Sequence, residues 1–346
     1  MRDLRKLYFL MVMLIAINAK SFAQDHMYSQ FFDAPVYLNP ALNGQFEGDL
    51  RINAIYRNQW SSAPGNLSYY TASIDYKLPQ YSGGIGLMVT RSSEGSAYLN
   101  KTNIAGSYSY DVGSDDFILS FGLQAGMSNR TVDWSKLVFG DQIDPRLGYM
   151  AGSTTSADMP AFNSKYYFDS GAGVNLVTGN FMVGTALQHL NQPNESFTGA
   201  PAKLPIRYTA HASYRIDLDK YNMADESEKS YVIPSVVLYK QAASQSISAG
   251  LQYKNRGMNF GLWYRNNSGA QGSGALVLSV IFDLNINRDG GEKIRIGAAH
   301  DMGVGGLNYS NTSGTTEGSL GYQTSLPSRS GYTHKYSNSS QCYYFY

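Results

Sequence analysis

Apolar and polar residues alternate with a period of two along most of this chain. The clearest stretch is 117–129, where apolar residues are separated by single serine, glycine or glutamine residues, with Ile118 as the exception. Such alternation is typical of β-strands with one apolar and one polar face. It predicts strands at residues 49–57, 67–76, 83–91, 101–110, 117–129, 167–176, 181–190, 206–217, 231–241, 245–254, 258–265, 275–285, 293–300 and 318–323.

The placement of aromatic residues and the lengths of the connections separate a membrane barrel from a soluble β-sandwich, which shows the same alternation. Charges within the strands, such as Asp75, Arg207 and Arg265, share the polar parity. Tyrosines on the apolar parity lie mostly near strand ends, as in the aromatic girdles of outer-membrane proteins. Long connections alternate with short ones, and the strand number is even. We therefore predict an all-β fold: a transmembrane antiparallel β-barrel of about 14 strands, with an extended N-terminal lead-in and a C-terminal tail.

The composition suits a chain that meets lipid rather than nucleic acid. Only 15% of the 346 residues are charged and the formal net charge is +1, against about 25% charged residues in soluble domains. Tyrosine and glycine are abundant, with 28 and 35 residues. Cys342 is the single cysteine, so no internal disulfide can form.

The chain divides into a secretory signal peptide, a periplasmic N-terminal lead-in, an outer-membrane β-barrel and a C-terminal tail, predicted at residues 1–23, 24–48, 49–323 and 324–346. The signal peptide is predicted from a basic start, an apolar core too short for a spanning helix, and small residues before the cleavage position. The lead-in is predicted to be extended because Pro35 and Pro40 interrupt regular structure. The tail carries six aromatic residues and is expected in the periplasm.

The connection at 130–166 is too long for a simple turn. Its apolar content predicts an ordered cap that folds over the mouth or into the lumen, through Trp134, Phe139, Tyr149, Phe162 and Tyr166.

The start of the mature chain carries the residues of a known family. Tyr28-Ser-Gln-Phe-Phe32 precedes Leu38-Asn-Pro-Ala41, and the first strand ends in Tyr56-Arg-Asn-Gln-Trp60. In these segments the chain resembles the PorP/SprF family of Bacteroidetes. The family-motif residues are Asn39, Pro40, Gly44, Tyr56, Arg57, Asn58, Gln59 and Trp60.

The resemblance implies a component of the type IX secretion system in the cell outer membrane, without enzymatic activity or cofactor. It implies that the chain supports the export or surface attachment of partner surface proteins, such as the adhesins of gliding motility. The implied partners are outer-membrane lipid, other type IX secretion components and a secreted cell-surface protein as cargo, and no nucleic acid. The alternative is an outer-membrane channel for small solutes or lipids, which needs an open lumen.

The strands predict a polar lumen rather than a catalytic or metal site. The candidate lumen network contains Arg51, Asp75, Arg207, His211, Arg215, Arg265, Asp283 and Arg295. These charges either line a water-filled pore that favours anions or form a salt-bridged interior under a plug, and we expect a mixed network. His211 has two arginines as same-face neighbours and no orienting carboxylate, so no catalytic residue is predicted. The spacing of His, Cys and Glu residues predicts no metal site.

Overall fold

The computed structural model describes residues 25–62, 65, 67–95, 99–150, 152–157, 162–197, 201–219, 229–268, 273–287, 292–304, 309–326 and 342–345. The predicted signal peptide lies outside these residues, as does most of the predicted C-terminal tail. Within the described ranges, no helix is both long enough and apolar enough to cross a membrane.

Long antiparallel strands close into one barrel, which confirms the predicted fold class. Strands that are consecutive in sequence pair with each other, and the first strand pairs with the last. The strands are β1 Leu50–Gln59, β2 Leu67–Leu78, β3 Gly83–Glu94, β4 Leu99–Gly113, β5 Phe117–Thr131, β6 Ser164–Thr178, β7 Phe181–Gln188, β8 Arg207–Tyr214, β9 Ser230–Gln241, β10 Ser244–Asn255, β11 Met258–Ser268, β12 Ser273–Asn287, β13 Glu292–Val304 and β14 Thr315–Thr324.

Shorter elements complete the described chain. Two-residue strands lie at Ile143–Asp144, Gly148–Tyr149 and Ile216–Asp217. Short helical turns lie at Phe31–Asp33, Pro35–Leu38, Pro40–Leu42, Pro79–Tyr81, Trp134–Lys136, Gly140–Gln142, Tyr309–Thr312 and Cys342–Phe345.

The two faces of each barrel strand meet different surroundings. In β5, Phe121, Leu123 and Met127 are exposed on the outside, while Ser120 and Ser128 are buried inside. An apolar outer face and a polar inner face are the arrangement of an outer-membrane barrel. Tyrosines expected in the girdles are also exposed on the outside: Tyr56, Tyr110, Tyr208, Tyr214 and Tyr264.

The connections differ in length between the two ends of the barrel. One end, the long-loop end, carries connections that include 60–66, 132–163, 189–206 and 305–314. The other, the short-loop end, carries connections that include 79–82, 114–116, 179–180 and 256–257. In outer-membrane barrels the longer connections face the cell exterior.

Pro234 lies within β9 and explains a break in the neighbouring strand. β8 pairs with β9 up to Ser213 opposite Ser235, and pairing resumes only at Ile216. Proline has no backbone N–H to donate to the neighbouring strand. The closed barrel therefore accommodates Pro234 by interrupting the ladder beside it.

Residues 25–46, called the plug segment below, cross the lumen as consecutive short turns. The Asp25 backbone N–H donates to Gln241 at the long-loop end, and Lys77 donates to the Phe46 carbonyl at the short-loop end. The side chains from 28 to 46 are buried. The prediction of an extended periplasmic lead-in is wrong for this segment. Pro35 and Pro40 each begin a helical turn, because the first position of a turn needs no backbone donor.

The described residues of the 132–163 connection lie outside the lumen that the plug segment occupies. Two short strands form a hairpin there, and Leu147, Tyr149 and Phe162 are exposed. The prediction of an ordered cap over the mouth or into the lumen is therefore wrong for entry of Tyr149 and Phe162 into the lumen, and a cap over the mouth stays a prediction.

The end of the C-terminal tail returns to the barrel instead of remaining outside it. Cys342–Phe345 forms a helical turn in which Cys342 and Phe345 are fully buried. The Asn175 Nδ2 of β6 lies 3.1 Å from Cys342 Sγ, three residues before β6 ends at the short-loop end. The expectation of a wholly periplasmic tail is therefore wrong for this turn.

Candidate functional site

Glycines in the wall leave room for the plug segment. A Cβ atom on Gly122 of β5 would lie 2.2 Å from the Ala41 backbone nitrogen, and one on Gly84 of β3 would lie 2.7 Å from Gly44 Cα. Such distances are far below van der Waals contact, so only glycine permits this approach. Gly44 has a φ of +71°, which glycine adopts at low cost.

Asn39 fixes the turn that packs on these glycines. Its Oδ1 accepts a hydrogen bond of 2.9 Å from the Ala41 backbone N–H, which caps the turn at 40–42. Its Nδ2 donates to the Val174 carbonyl of β6 at 3.1 Å. A Cβ on neighbouring Gly173 would lie 2.1 Å from Asn39 Oδ1. The Asn-Pro-Ala motif is thus a contact between the plug segment and the wall.

Two carboxylates and two arginines hold the plug segment at Ser29. The Ser29 backbone N–H donates to Glu317, and its hydroxyl donates to Asp301 at 2.7 Å. Arg57 donates to Glu317, and Arg265 donates to Asp301 at 2.8 Å. The four charged side chains are buried. Buried charges are tolerated only when they are paired and hydrogen-bonded, so removing one member is expected to cost about 3–5 kcal/mol.

A second ion pair holds the segment near the short-loop end. Arg51 donates to Asp75 through Nε at 3.0 Å and through Nη2 at 2.8 Å. The Gly44 backbone N–H donates to Asp75 at 2.9 Å, and Arg51 also donates to the Leu42 carbonyl at 3.2 Å. Both members of this bidentate pair therefore also bind the backbone of the plug segment.

A third pair lies across β12 and β13. Arg295 donates to Asp283 through Nε at 2.7 Å and through Nη2 at 2.9 Å. Its Nη1 lies 3.5 Å from Asp33 of the plug segment, and Ser319 donates to Asp33 at 2.6 Å. Wall and plug again share one polar network.

Arg207 contacts the plug segment through an aromatic residue rather than a carboxylate. Its Nη1 donates to the Tyr37 hydroxyl at 2.6 Å. Its guanidinium lies 4.7 Å from the Tyr37 ring centre and 4.9 Å from that of Tyr239. This geometry is typical of a cation–π contact.

His211 follows Arg207 on the lumen face of β8, and Arg215 comes directly after the strand, toward the short-loop end. His211 Nε2 is 3.4 Å from Asn39 Nδ2, and its ring packs edge-on against Phe32. The Arg215 guanidinium lies 5.1 Å from the Tyr231 ring centre. Candidate lumen residues named from the sequence thus all lie inside the barrel, but as separate groups around the plug segment.

The five motif residues at the end of β1 do not form one site. Arg57 and Gln59 face the lumen, and Arg57 Nη2 donates to Gln59 at 3.4 Å. Tyr56 is exposed on the outside, and Asn58 shares its parity. Trp60 ends the strand with a φ of +59°. The motif therefore combines a lumen ion pair, an outer girdle position and a strand end.

An ionic cluster at the long-loop end holds the start of the plug segment; we call it the mouth cluster. It contains Asp25, Lys101, Asp169, His189 and Glu195. His189 Nε2 lies 2.5 Å from Asp25 Oδ2, and its Nδ1 lies 2.9 Å from Asp169. Lys101 Nζ lies 3.0 Å from Asp25 and 3.2 Å from Glu195.

Burial opposes ionisation of these groups, but their partners outweigh it. The Asp25 carboxylate and the Asp169 hydrogen bond raise the pKa of His189 from 6.5 to about 9. Lys101 and His189 hold the pKa of Asp25 well below its usual value. His189 is therefore a cation at neutral pH and bridges the plug segment to the wall.

Among the described residues, the cavities found beside the plug segment are small. A cavity of about 50 Å³ lies at the long-loop end, between the mouth cluster and Tyr37. A larger concavity of about 770 Å³ is lined mainly by outward-facing residues of β10 to β13, such as Leu251, Leu262 and Leu278. It belongs to the lipid-facing surface. Among the described residues, no three His, Cys, Asp or Glu side chains are arranged to hold a metal ion.

Sequence reasoning missed Ser29, Asp301, Glu317 and the mouth cluster. One signal was available: a few apolar residues lie on the polar parity of their strands. Ile55 is one, and it packs in a buried cluster with Tyr28 and Val36 of the plug segment. Apolar residues that face a polar lumen indicate a packed partner inside it.

Comparisons with known proteins place the chain in one family. The family model described as "Type IX secretion system membrane protein PorP/SprF" matches residues 20–322. No match is found among curated proteins. Solved structures with a similar fold include Acinetobacter baumannii Omp33 (7% identity, TM-score 0.42, covering 82% of this chain and 100% of that one). They also include the CymD monoaromatic hydrocarbon channel (13%, 0.48, 85% and 93%) and a Pseudomonas aeruginosa FadL homologue (12%, 0.43, 84% and 92%). Because the family match spans most of the chain, the protein belongs to the PorP/SprF family and is an outer-membrane component of the type IX secretion system.

Proposed function

We propose that this barrel supports the export or surface attachment of secreted partner proteins, such as gliding-adhesin-like cargo, by binding them rather than by transport or catalysis. The observation that carries the proposal is the plug segment, which occupies the lumen from one end to the other. A barrel filled in this way acts through its outer surfaces and loops.

The plug segment is held too firmly to act as a gate that opens readily. Its polar contacts include Ser29 with Asp301 and Glu317, Gly44 with Asp75, and Asp25 with His189. Extracting it would separate Asp25 from His189 and would remove the hydrogen bonds that Ser29 and Gly44 donate to wall carboxylates. Breaking a buried ion pair by removing one partner costs about 3–5 kcal/mol. A channel for small solutes or lipids requires a continuous lumen, so the occupied lumen argues against that alternative.

The hairpin of the 132–163 connection is the part of the long-loop end that we assign to cargo contact. It exposes Ile143, Leu147, Tyr149 and Met150 beside each other in sequence. Exposed apolar residues grouped in one loop are typical of protein-binding surfaces. The partner that fits it is the secreted surface protein whose attachment the family membership implies.

A deletion strain complemented with this chain tests the proposal. Surface and medium proteins of the deletion, complemented and wild-type strains are compared by mass spectrometry. The proposal predicts selective loss of one or a few large surface proteins in the deletion strain and their return on complementation. An unchanged surface proteome would sink the proposal and redirect attention to solute uptake.

Variants of the hairpin test the assigned contact. Complementation with Leu147→Ser plus Tyr149→Ser is expected to leave the barrel in the membrane but to lower the surface level of the same cargo. Arg146→Ser is the matched control, because it lies in the same exposed hairpin and removes no apolar surface. Equal cargo levels in both variants would refute this assignment of the contact.

A further inference from the structure

A second piece of chain, separate from the plug segment, lies in the lumen at the short-loop end. The turn Cys342–Phe345 is separated from β14 by residues 325–341 and yet is buried inside the barrel. Both Cys342 and Phe345 have no solvent-exposed surface. The family match ends at residue 322, so this turn lies beyond the part of the chain that defines the family.

Apolar side chains form the walls around the turn. Cys342 and Phe345 belong to one buried cluster with Leu42 of the plug segment and with Val177 and Met182 of the wall. Val177 and Met182 flank the tight connection between β6 and β7 at the short-loop end. We give the name inner socket to Asn175, which contacts Cys342, together with Leu42, Val177 and Met182 of the same buried cluster. It presents an apolar wall with one amide, as a site for a short aromatic peptide does.

We propose that the inner socket is a peptide-binding site and that the chain's own C-terminal turn, Cys342–Phe345, is its resident ligand. The kind of peptide it takes is short and aromatic. This proposal is independent of the cargo proposal, because it concerns the short-loop end and the tail.

The tail is long enough to reach the socket from the end of the barrel. Leu326 lies at the short-loop end, where its N–H donates to Asp49 at 2.8 Å. The 15 residues from 327 to 341 include five serines and a glycine, and an extended chain covers about 3.3–3.6 Å per residue. Because the turn belongs to the same chain, it binds the socket intramolecularly, and even modest affinity keeps the socket occupied.

A disulfide in the full-length chain tests the proposal. Asn175→Cys places a second thiol beside Cys342, which is the only native cysteine. The protein is oxidised in detergent micelles and run unreduced on a gel. We expect an intramolecular disulfide in most of the folded molecules, seen as a faster monomer band that reverts on reduction.

Two matched variants serve as controls for the disulfide with Cys342. Ser246→Cys is buried in the lumen near the long-loop end, on β10, and is expected to give no disulfide with Cys342. Adding Phe345→Ala to Asn175→Cys is expected to lower the crosslinked fraction about tenfold, because the turn loses its largest buried side chain. Heat-modifiable migration of each variant reports that the barrel is folded.

Two outcomes overturn the proposal. Equal crosslinking of Asn175→Cys and Ser246→Cys would mean that Cys342 has no preferred place in the lumen. A crosslinked dimer in place of the faster monomer would mean that the turn of a second copy fills the socket. Neither outcome depends on whether cargo is lost in the deletion strain, so failure here is distinct from failure of the proposed function.

Discussion

Two stretches of chain from opposite ends of the sequence lie in the same lumen, and they are held by different forces. The plug segment is fixed by the ion pair of Asp25 with His189, by buried hydrogen bonds such as Ser29 to Glu317, and by backbone contacts to wall glycines such as Gly122. The C-terminal turn is held by the apolar burial of Cys342 and Phe345, with a contact between Asn175 and Cys342. We therefore expect the turn to be easier to displace than the plug segment.

The difference follows from what each stretch would leave behind. Removing the plug segment would break the ion pair between Asp25 and His189 and the hydrogen bonds that Ser29 donates to the wall carboxylates, at a cost that apolar contacts alone do not impose. Removing the C-terminal turn would mainly expose apolar surface to water. We expect this to cost less free energy than breaking the polar contacts of the plug segment. We expect substitutions that touch the plug segment to change stability far more than those that touch the turn.

The largest effect is expected for Glu317→Ala. This substitution deprives Arg57 of its closest carboxylate and the Ser29 backbone N–H of its acceptor. The expected loss is about 3–5 kcal/mol in the free energy of unfolding, measured by urea titration in detergent micelles. Glu47→Gln is the control, because Glu47 is exposed and lies 3.8 Å from Lys293. Similar losses in both variants would contradict the central role of the buried pair.

A smaller but still marked effect is expected for Gly122→Ala. The added Cβ would lie 2.2 Å from the Ala41 nitrogen and 2.3 Å from the Pro40 carbonyl carbon, so backbone must move. Overpacking of this kind costs about 1–3 kcal/mol. Gly106→Ala is the control, since nothing lies within 4 Å of its added Cβ. Urea unfolding should separate the two variants, and equal midpoints would show that the plug does not press on β5.

The mouth cluster is expected to make stability depend on pH. Because the folded-state pKa of His189 is raised from 6.5 to about 9, its contribution is complete below pH 6.5 and is lost as pH rises through 9. The lowered pKa of Asp25 works in the other direction, and its contribution is lost as pH falls below its usual value of 3.8.

His189→Gln tests this pH dependence. We expect it to remove about 1–2 kcal/mol of unfolding free energy at pH 6 and to flatten the profile between pH 6.5 and 9. Urea titration at several pH values measures both quantities. His300→Gln, outside the lumen on β13, serves as the control and should keep the wild-type profile. A wild-type profile in His189→Gln would contradict a contribution of the mouth cluster to the pH dependence of stability.

The smallest effect on stability is expected for Phe345→Ala. The barrel should unfold at the same urea concentration within about 0.5 kcal/mol, because the turn can detach before the barrel unfolds. The same variant should react faster than wild type with a maleimide at Cys342, whose thiol is buried in the intact protein. A loss of stability as large as that of Glu317→Ala would mean that the two stretches are not held differently after all.

The wall was predictable from the sequence because each strand records two environments in alternate positions. That pattern fixed the strands, their number and the inward parity of Arg51, Arg207 and Arg265. The plug segment was not predictable, because its turns depend on partners far away in sequence. Pro40 reads equally well as a break in an extended chain or as the first residue of a turn that Asn39 caps.

The site was predictable only in part for a related reason. Six arginines were visible on the polar parity, but the carboxylates Asp301 and Glu317 that balance two of them lie outside the predicted strand limits or at their edges. Ile55 and Ile118 were the local exceptions to the pattern, and both are buried. Apolar exceptions on a lumen face are therefore the sequence signal most worth reading in such barrels.

Single-channel conductance of the full-length protein in planar lipid bilayers shows directly whether the lumen is closed. We expect no steady conductance, because residues 25–46 fill the lumen and contact the wall at Asp25, Ser29 and Gly44. Glu317→Ala, which loosens this attachment, is expected to show intermittent openings. A steady, ohmic conductance in the wild-type protein would contradict the account and favour a solute channel.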